Sequence, residues 1–128
     1  MSIVFLENHH VLRLHQSLIE TYGGQAGVRD SGLLDSAIAQ PKAMFSQQYL
    51  HDEPFGMAAA YLYHIVENHP FFDGNKRTGA ASAIVFLDIN GIQIDNNEQG
   101  LVDLTLSVAT GRAVKLDVAN FFLEHQLK

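Results

Sequence analysis

Cysteine is absent from the 128 residues, which excludes disulfides, thiolate catalysis and cysteine-ligated zinc. Basic residues are scarce. Lys plus Arg number 8 against 14 Asp plus Glu, a formal charge of −6. Such a balance offers no general footprint for direct nucleic-acid binding, and any phosphate site must be a local exception to it. No apolar run approaches the length of a membrane span, so no membrane association is expected. The opening Met1-Ser2-Ile3-Val4-Phe5-Leu6-Glu7 has neither a basic n-region nor an adequate h-region, and a cytoplasmic location is the expectation. Repeats, low-complexity tracts and charge blocks are also missing, which leaves no linker to place. What remains is 47% hydrophobic and 17% charged, an ordinary globular composition, read as one domain over residues 1–128.

Helical periodicity dominates, and the expected fold class is all-α: a single-domain helical bundle around a central apolar helix, with a short flap. Val11, Leu14, Leu18 and Tyr22 recur at helical spacing, and Gly23-Gly24 ends that segment. A shorter helix over Leu33–Ala39 is opened by Asp30 or Ser31 and stopped by Pro41. The weakly patterned stretch from Gln40 to Glu53 reads as a loop or flap. Pro54 suits the first turn of the next helix, in which Ala58, Leu62, Ile65, Val66 and His69 share a face; His69 is therefore expected to point inward. Pro70 stops that helix. Another runs from Asn75 to Asn90 with Gly91 as its stop, and its middle, Ala80–Leu87, is apolar nearly all round, as a central helix would be. Ile92 and Ile94 suit a short extended piece. Asp95 and Glu98 have capping-box spacing ahead of Leu101, and a final helix covers Leu116–Gln126.

Chemistry concentrates in His69-Pro70-Phe71-Phe72-Asp73-Gly74-Asn75-Lys76-Arg77-Thr78-Gly79, between two expected helices. Backbone N–H groups at the start of the Asn75 helix lack intrahelical acceptors and sit at a positive dipole end, a ready anion cradle. Gly74 permits positive φ and close approach to a phosphate. The Asn75 amide can donate, and Lys76 and Arg77 add positive charge. Asp73 is a hard oxygen ligand suited to Mg²⁺ shared with phosphates. His69 carries an imidazole, the side chain best matched to proton transfer near neutrality. Together these parts describe a hydroxyl attacking a metal-bound phosphate chain. Each residue also has a bland role: His69 as a core or capping histidine, Asp73 as a helix N-cap, Lys76 and Arg77 as a solvated first turn, Phe71 and Phe72 as core anchors.

The segment matches H-x-F-x-[D/E]-G-N-x-R, the core motif of the Fic family, at His69, Phe71, Asp73, Gly74, Asn75 and Arg77. Tyr22-Gly23-Gly24, Gly27 through Leu34 and Phe86 through Gly91 further resemble its Doc (death-on-curing) branch, so the likeness covers nearly the whole chain. The resemblance implies a helical Fic fold, ATP or a related nucleoside triphosphate as donor, Mg²⁺ as cofactor, and a protein hydroxyl as acceptor. It implies His69 as general base, Asp73 as metal ligand, and Gly74, Asn75 and Arg77 as the phosphate loop. Fic enzymes mostly transfer AMP; the Doc branch transfers phosphate to elongation factor Tu and is restrained by a Phd-type antitoxin whose disordered tail folds into a groove. Leu12, Leu18 or Ile19 would line such a groove here.

Two departures bear on the reaction. The second Arg of the full Fic motif is Ala80, which removes a cation from the donor site and favours phosphate transfer. Gly74 instead matches AMP-transferring members. The [S/T]-x-x-x-E-[G/N] autoinhibitory pattern has no instance in the chain, so restraint would come from another protein. A non-catalytic regulatory module is the rival from a different class. Elsewhere, His9, His10 and His15 lack zinc-ligand spacing, His51-Asp52-Glu53 reads as an exposed acidic loop, and Arg29 is either a helix-start ion-pair partner of Asp30 or a phosphate or target contact.

Overall fold

In the computed structural model, which describes residues 2–95 and 97–128, the apolar spacing after Glu7 becomes helix α1 (Asn8–Tyr22), and Gly23 ends it with φ 86°. Helix α2 (Ser31–Ala39) is capped by Asp30, whose Oδ1 accepts from the Leu33 N–H at 2.9 Å. Pro41 lies inside a 3-10 turn, Gln40–Lys42, that continues from α2, so the chain tightens there before it leaves helical structure. A small flap follows. Strands β1 (Met44–Phe45) and β2 (Gln48–Tyr49) pair antiparallel, with Ser46 and Gln47 both at positive φ in the connecting turn, as a two-residue hairpin requires. Helices α3 (Phe55–Asn68), α4 (Asn75–Ile89), α5 (Glu98–Ala109) and α6 (Lys115–Glu124) complete the chain, and Ile94 bridges Gln126 in an isolated extended pair. The architecture is all-α apart from the flap. Among the described residues, no helix is long and apolar enough to cross a membrane.

The hub is α3 rather than α4. Met57 through Leu62, Ile65 and Val66 are all buried, and α3 packs against α2, the 3-10 turn, α4, α5 and α6. Its alanines leave neighbours room to approach on several sides, which an apolar count along α4 alone does not reveal. Gly79 of α4 meets α3 so closely that an added Cβ would lie 3.0 Å from Val66 Cγ2 and 3.1 Å from the Leu62 carbonyl oxygen. Gly79→Ala is therefore expected to destabilise the fold by about 1–3 kcal/mol through forced separation of the two helices, measurable by urea denaturation. The Tyr61 hydroxyl, buried in α3, donates to the Leu6 carbonyl at 3.0 Å and accepts the Leu6 N–H at 2.8 Å, tying the N-terminal segment to the hub.

Two further sequence expectations change. The cap of α5 is Asn97, whose Oδ1 accepts from the Gly100 N–H at 3.1 Å, and not Asp95; Glu98 is then in the first turn, where a carboxylate suits the dipole. His51 is not part of an exposed loop. It is partly buried, and Lys115 Nζ donates to its Nε2 at 3.0 Å; only Asp52 and Glu53 are exposed.

His64 of α3 packs edge-on to His51, ring centroids 6.5 Å apart, and its buried Nε2 has no hydrogen-bond partner among the described residues. Burial first, then the Lys115 charge and His51, push its pKa from 6.5 down to about 4. The unfolded chain therefore binds a proton near pH 6.5 that the folded chain refuses until about pH 4. Stability is full above the upper value and falls between the two. Relative to His64→Leu, the wild type should lose roughly 1–2 kcal/mol more between pH 7 and pH 4, the figure being discounted because the ring is only partly buried. Urea titrations at the two pH values check this.

Candidate active site

The loop between α3 and α4 is built from both sides. Pro70 ends α3, and His69 takes its C-cap with φ 51° and ψ 54°, a left-handed conformation. That turn carries the side chain off the helical face, and His69 is exposed rather than inward-pointing. Extrapolating helical spacing one residue past the end accounts for the error. Arg29 fixes this cap: its Nε donates to the His69 carbonyl at 2.8 Å and its terminal nitrogen to the Asn68 carbonyl at 3.1 Å. The guanidinium thus satisfies orphan carbonyls at the end of α3. It makes no ion pair with Asp30, whose carboxylate caps α2 instead.

Val28 and Phe71 form an antiparallel bridge, with Arg29 and Asp30 N–H groups both donating to the Pro70 carbonyl and Phe72 N–H to that of Gly27. On the opposite edge, Phe71 N–H donates to Asn75 Oδ1 at 2.9 Å, and Asn75 Nδ2 donates to the Phe71 carbonyl at 3.0 Å. The buried Asn75 amide therefore completes the pairing of Phe71 as a neighbouring strand would. Its side chain is engaged at both ends and shapes the loop, and the group it leaves for an anion is its main-chain N–H. Phe71 is a core anchor as expected. Phe72 is not: it is 48% exposed and lies over Gly27.

Asp73 is fully exposed and sits one residue too early to be the N-cap of α4, a place taken by Gly74 with φ 78°. Its Oδ2 accepts from the Gln25 N–H at 3.2 Å and its Oδ1 from the Gly74 N–H at 3.0 Å. These two donors, with lesser help from Lys76 and Arg77, hold its pKa below the ordinary carboxylate value. The first helical bond of α4 runs from Thr78 N–H to the Gly74 carbonyl, so the N–H groups of Asn75, Lys76 and Arg77 have no acceptor among the described residues. Lys76 is exposed without a partner among those residues, and Arg77 lays its guanidinium 4.4 Å from the centre of the Tyr22 ring. Beside them opens a cleft of about 590 Å³ between the ends of α1, α4 and α5, walled by Tyr22, Gly74, Arg77, Ala80, Glu98 and Leu101.

Among the described residues, no three His, Asp or Glu side chains converge to hold a metal. A single ionised carboxylate beside three unpaired N–H groups fits a divalent cation shared with a ligand's phosphates, since Mg²⁺ takes few protein ligands. The structure therefore brings Asp73, Gly74, Lys76, Arg77 and the Asn75 main chain to one cradle, with His69 exposed at the other end of the loop and Arg29 and Phe71 in support. Sequence reasoning missed His15, which is 4% exposed and donates from Nε2 to the Asp73 carbonyl at 2.8 Å. Its position four residues after buried Val11 was the available signal. Of the residues offered for an apolar groove, Leu12 is exposed, Leu18 lines the cleft, and Ile19 packs toward Gly74. A second, apolar groove of about 630 Å³ is lined by Phe5, Leu14, Val85 and Ile89.

Known proteins resemble this chain over most of its length. A sequence profile described as Fic/DOC family matches residues 5–87, which include α1, the flap, α3 and most of α4. Toxin Doc of Mycolicibacterium smegmatis is 43% identical over 91 residues, 70% of either chain. Protein kinase doc of Escherichia phage P1 is 36% identical over 110 residues, 86% of either chain. A loop that joins an exposed histidine to an anion-ready helix start, matched over most of the chain, leaves one assignment: this protein belongs to the Fic/DOC family.

Proposed function

We propose that this protein is a Doc-like toxin that transfers the γ-phosphoryl group of ATP to a hydroxyl of a target protein, with Mg²⁺ as cofactor. The observation that carries the reading is the loop itself: His69 accessible at one end, and at the other an ionised Asp73 beside three N–H groups with no acceptor among the described residues. The name of the phage relative, a protein kinase, points the same way. Asp73 would hold Mg²⁺, which when bound supplies charge neutralisation at the phosphates. The Asn75, Lys76 and Arg77 N–H groups receive phosphate oxygens, and the Lys76 and Arg77 cations oppose the charge that grows on them. The cleft beside Tyr22 has room for a nucleoside.

His69 accepts the proton of the acceptor hydroxyl while that oxygen attacks the γ-phosphorus. The bond from this phosphorus to the β–γ bridging oxygen breaks, and ADP departs. A translation factor, elongation factor Tu in the first instance, is the target to try, and a Phd-type antitoxin is the partner that would restrain the activity.

AMP transfer by the same residues is the second reading, favoured by Gly74, the residue that AMP-transferring members carry at this place. Ala80 in the cleft wall favours the first, because no second arginine follows Arg77 on that turn. Incubation with target protein, Mg²⁺ and either α- or γ-labelled ATP separates them. Label on protein from the γ position alone supports phosphate transfer, and label from the α position ends that claim.

A further inference from the structure

Behind the loop lies a second histidine to which neither the motif nor the proposed mechanism gives a task. His15 projects from α1, is 4% exposed, and stacks on Phe71 with centroids 3.8 Å apart and ring planes 6° from parallel. Its Nε2 lies 2.8 Å from the main-chain oxygen of Asp73. A carbonyl oxygen only accepts, so this bond requires the proton on Nε2. The ring therefore braces both Phe71 and Asp73 at once.

We propose that His15 is a positioning residue whose Nε2–H locks the Asp73–Gly74 peptide plane, and thereby aims the Asp73 carboxylate and the Gly74 N–H. This rests on the phosphate-transfer reading for its use, though not for its geometry. Gly74 sits at φ 78° and has no side chain, so the peptide before it meets little steric resistance to flipping. A flip would swing the Asp73 carbonyl oxygen around to where the Gly74 N–H now points. That N–H donates to Asp73 Oδ1, and losing it would free one edge of the carboxylate and set a negative dipole edge beside the anion cradle. The Asp73 carbonyl has no other partner among the described residues. The His15 bond on the carbonyl side and the carboxylate bond on the N–H side hold the plane between them, and of the two only His15 comes from outside the loop. Nothing stands between ring and glycine: a Cβ at Gly74 would lie 3.6 Å from His15 Nε2.

Two substitutions separate this role from packing. His15→Phe keeps a ring against Phe71 and removes the donor; His15→Gln removes the ring and keeps an amide N–H at comparable reach. The readouts are hydrogen exchange at the Gly74 amide, binding of Mn²⁺ with ATP followed by electron paramagnetic resonance, and kcat against KM with γ-labelled ATP. His15→Phe should speed Gly74 exchange and weaken Mn²⁺ about tenfold each, and lower kcat about 10- to 100-fold with KM for ATP moved less; His15→Gln should recover most of each loss. A His15→Phe protein within about twofold of wild type in exchange and Mn²⁺ binding overturns the proposal, as does His15→Gln no better than His15→Phe. Should His15→Phe not fold, the wild type decides: nitrogen NMR showing the proton on Nε2 supports the lock, and a dominant Nδ1–H tautomer refutes it. A wild type that neither binds Mn²⁺ with ATP nor transfers label sinks the phosphate-transfer reading, while Gly74 exchange and the tautomer still judge His15.

Discussion

His69→Ala is expected to lower transfer by about 100- to 10,000-fold while leaving stability within about 0.5 kcal/mol of wild type. The two numbers belong together. The side chain is exposed, and its ring makes no hydrogen bond among the described residues, so the fold has little use for it. What binds position 69 into the structure is its main chain: the N–H donates to the Ile65 carbonyl at 3.2 Å, and the carbonyl accepts from Arg29. Both survive truncation. A histidine that the structure can spare but the reaction cannot is the signature of a proton acceptor, and radiolabel transfer set beside a urea curve measures both sides. Retention of more than about a tenth of wild-type turnover would remove His69 from the mechanism. Growth arrest undiminished by the same substitution would favour a binding module over an enzyme.

The opposite pattern is expected of Asn75→Ala, which should cost about 2–4 kcal/mol of stability and abolish transfer as well. Asn75 is 4% exposed, and its amide both accepts from and donates to the main chain of fully buried Phe71. Alanine removes two hydrogen bonds and leaves a buried N–H and a buried carbonyl without partners, the costlier part of the loss. Phe71 sits between His69 and Asp73, so slack there reaches both ends of the site. A drop of under 1 kcal/mol in urea-derived stability would show that water replaces the amide and that the loop does not depend on it.

Local signals explain which features are legible in the chain. Helix α1, the Asp30 cap and the glycine stops are fixed by spacing and by residues acting within a few positions of one another, so they read off directly. The flap also shows, as a stretch where helical periodicity lapses. Features set by partners distant in sequence do not. His69 follows the apolar face of α3 on paper, yet its backbone turns left-handed at the cap and Arg29 holds it there from 40 residues away. Asn75 reads as a phosphate donor because its residue type allows it; its commitment to Phe71 depends on the bridge that Phe71 makes with Val28. Phe72 and Phe71 are indistinguishable by type, and only that bridge decides which ring turns inward. The spacing of His15 from Val11 marks it as buried but not what it binds, since its partner is a carbonyl and carbonyls leave no mark in a sequence.

The near-contact of Gly79 with Leu62 and Val66 has a mechanical consequence for the mouth of the site. Leu62 precedes His69 by seven residues, and Gly79 follows Asn75 by four, so the helices are clamped a short way below the bend. The clamp acts as a fulcrum, and with the pinned bend above it sets the spacing between the histidine and the start of α4. A single methyl at the fulcrum would widen that spacing without touching any group that meets the nucleotide.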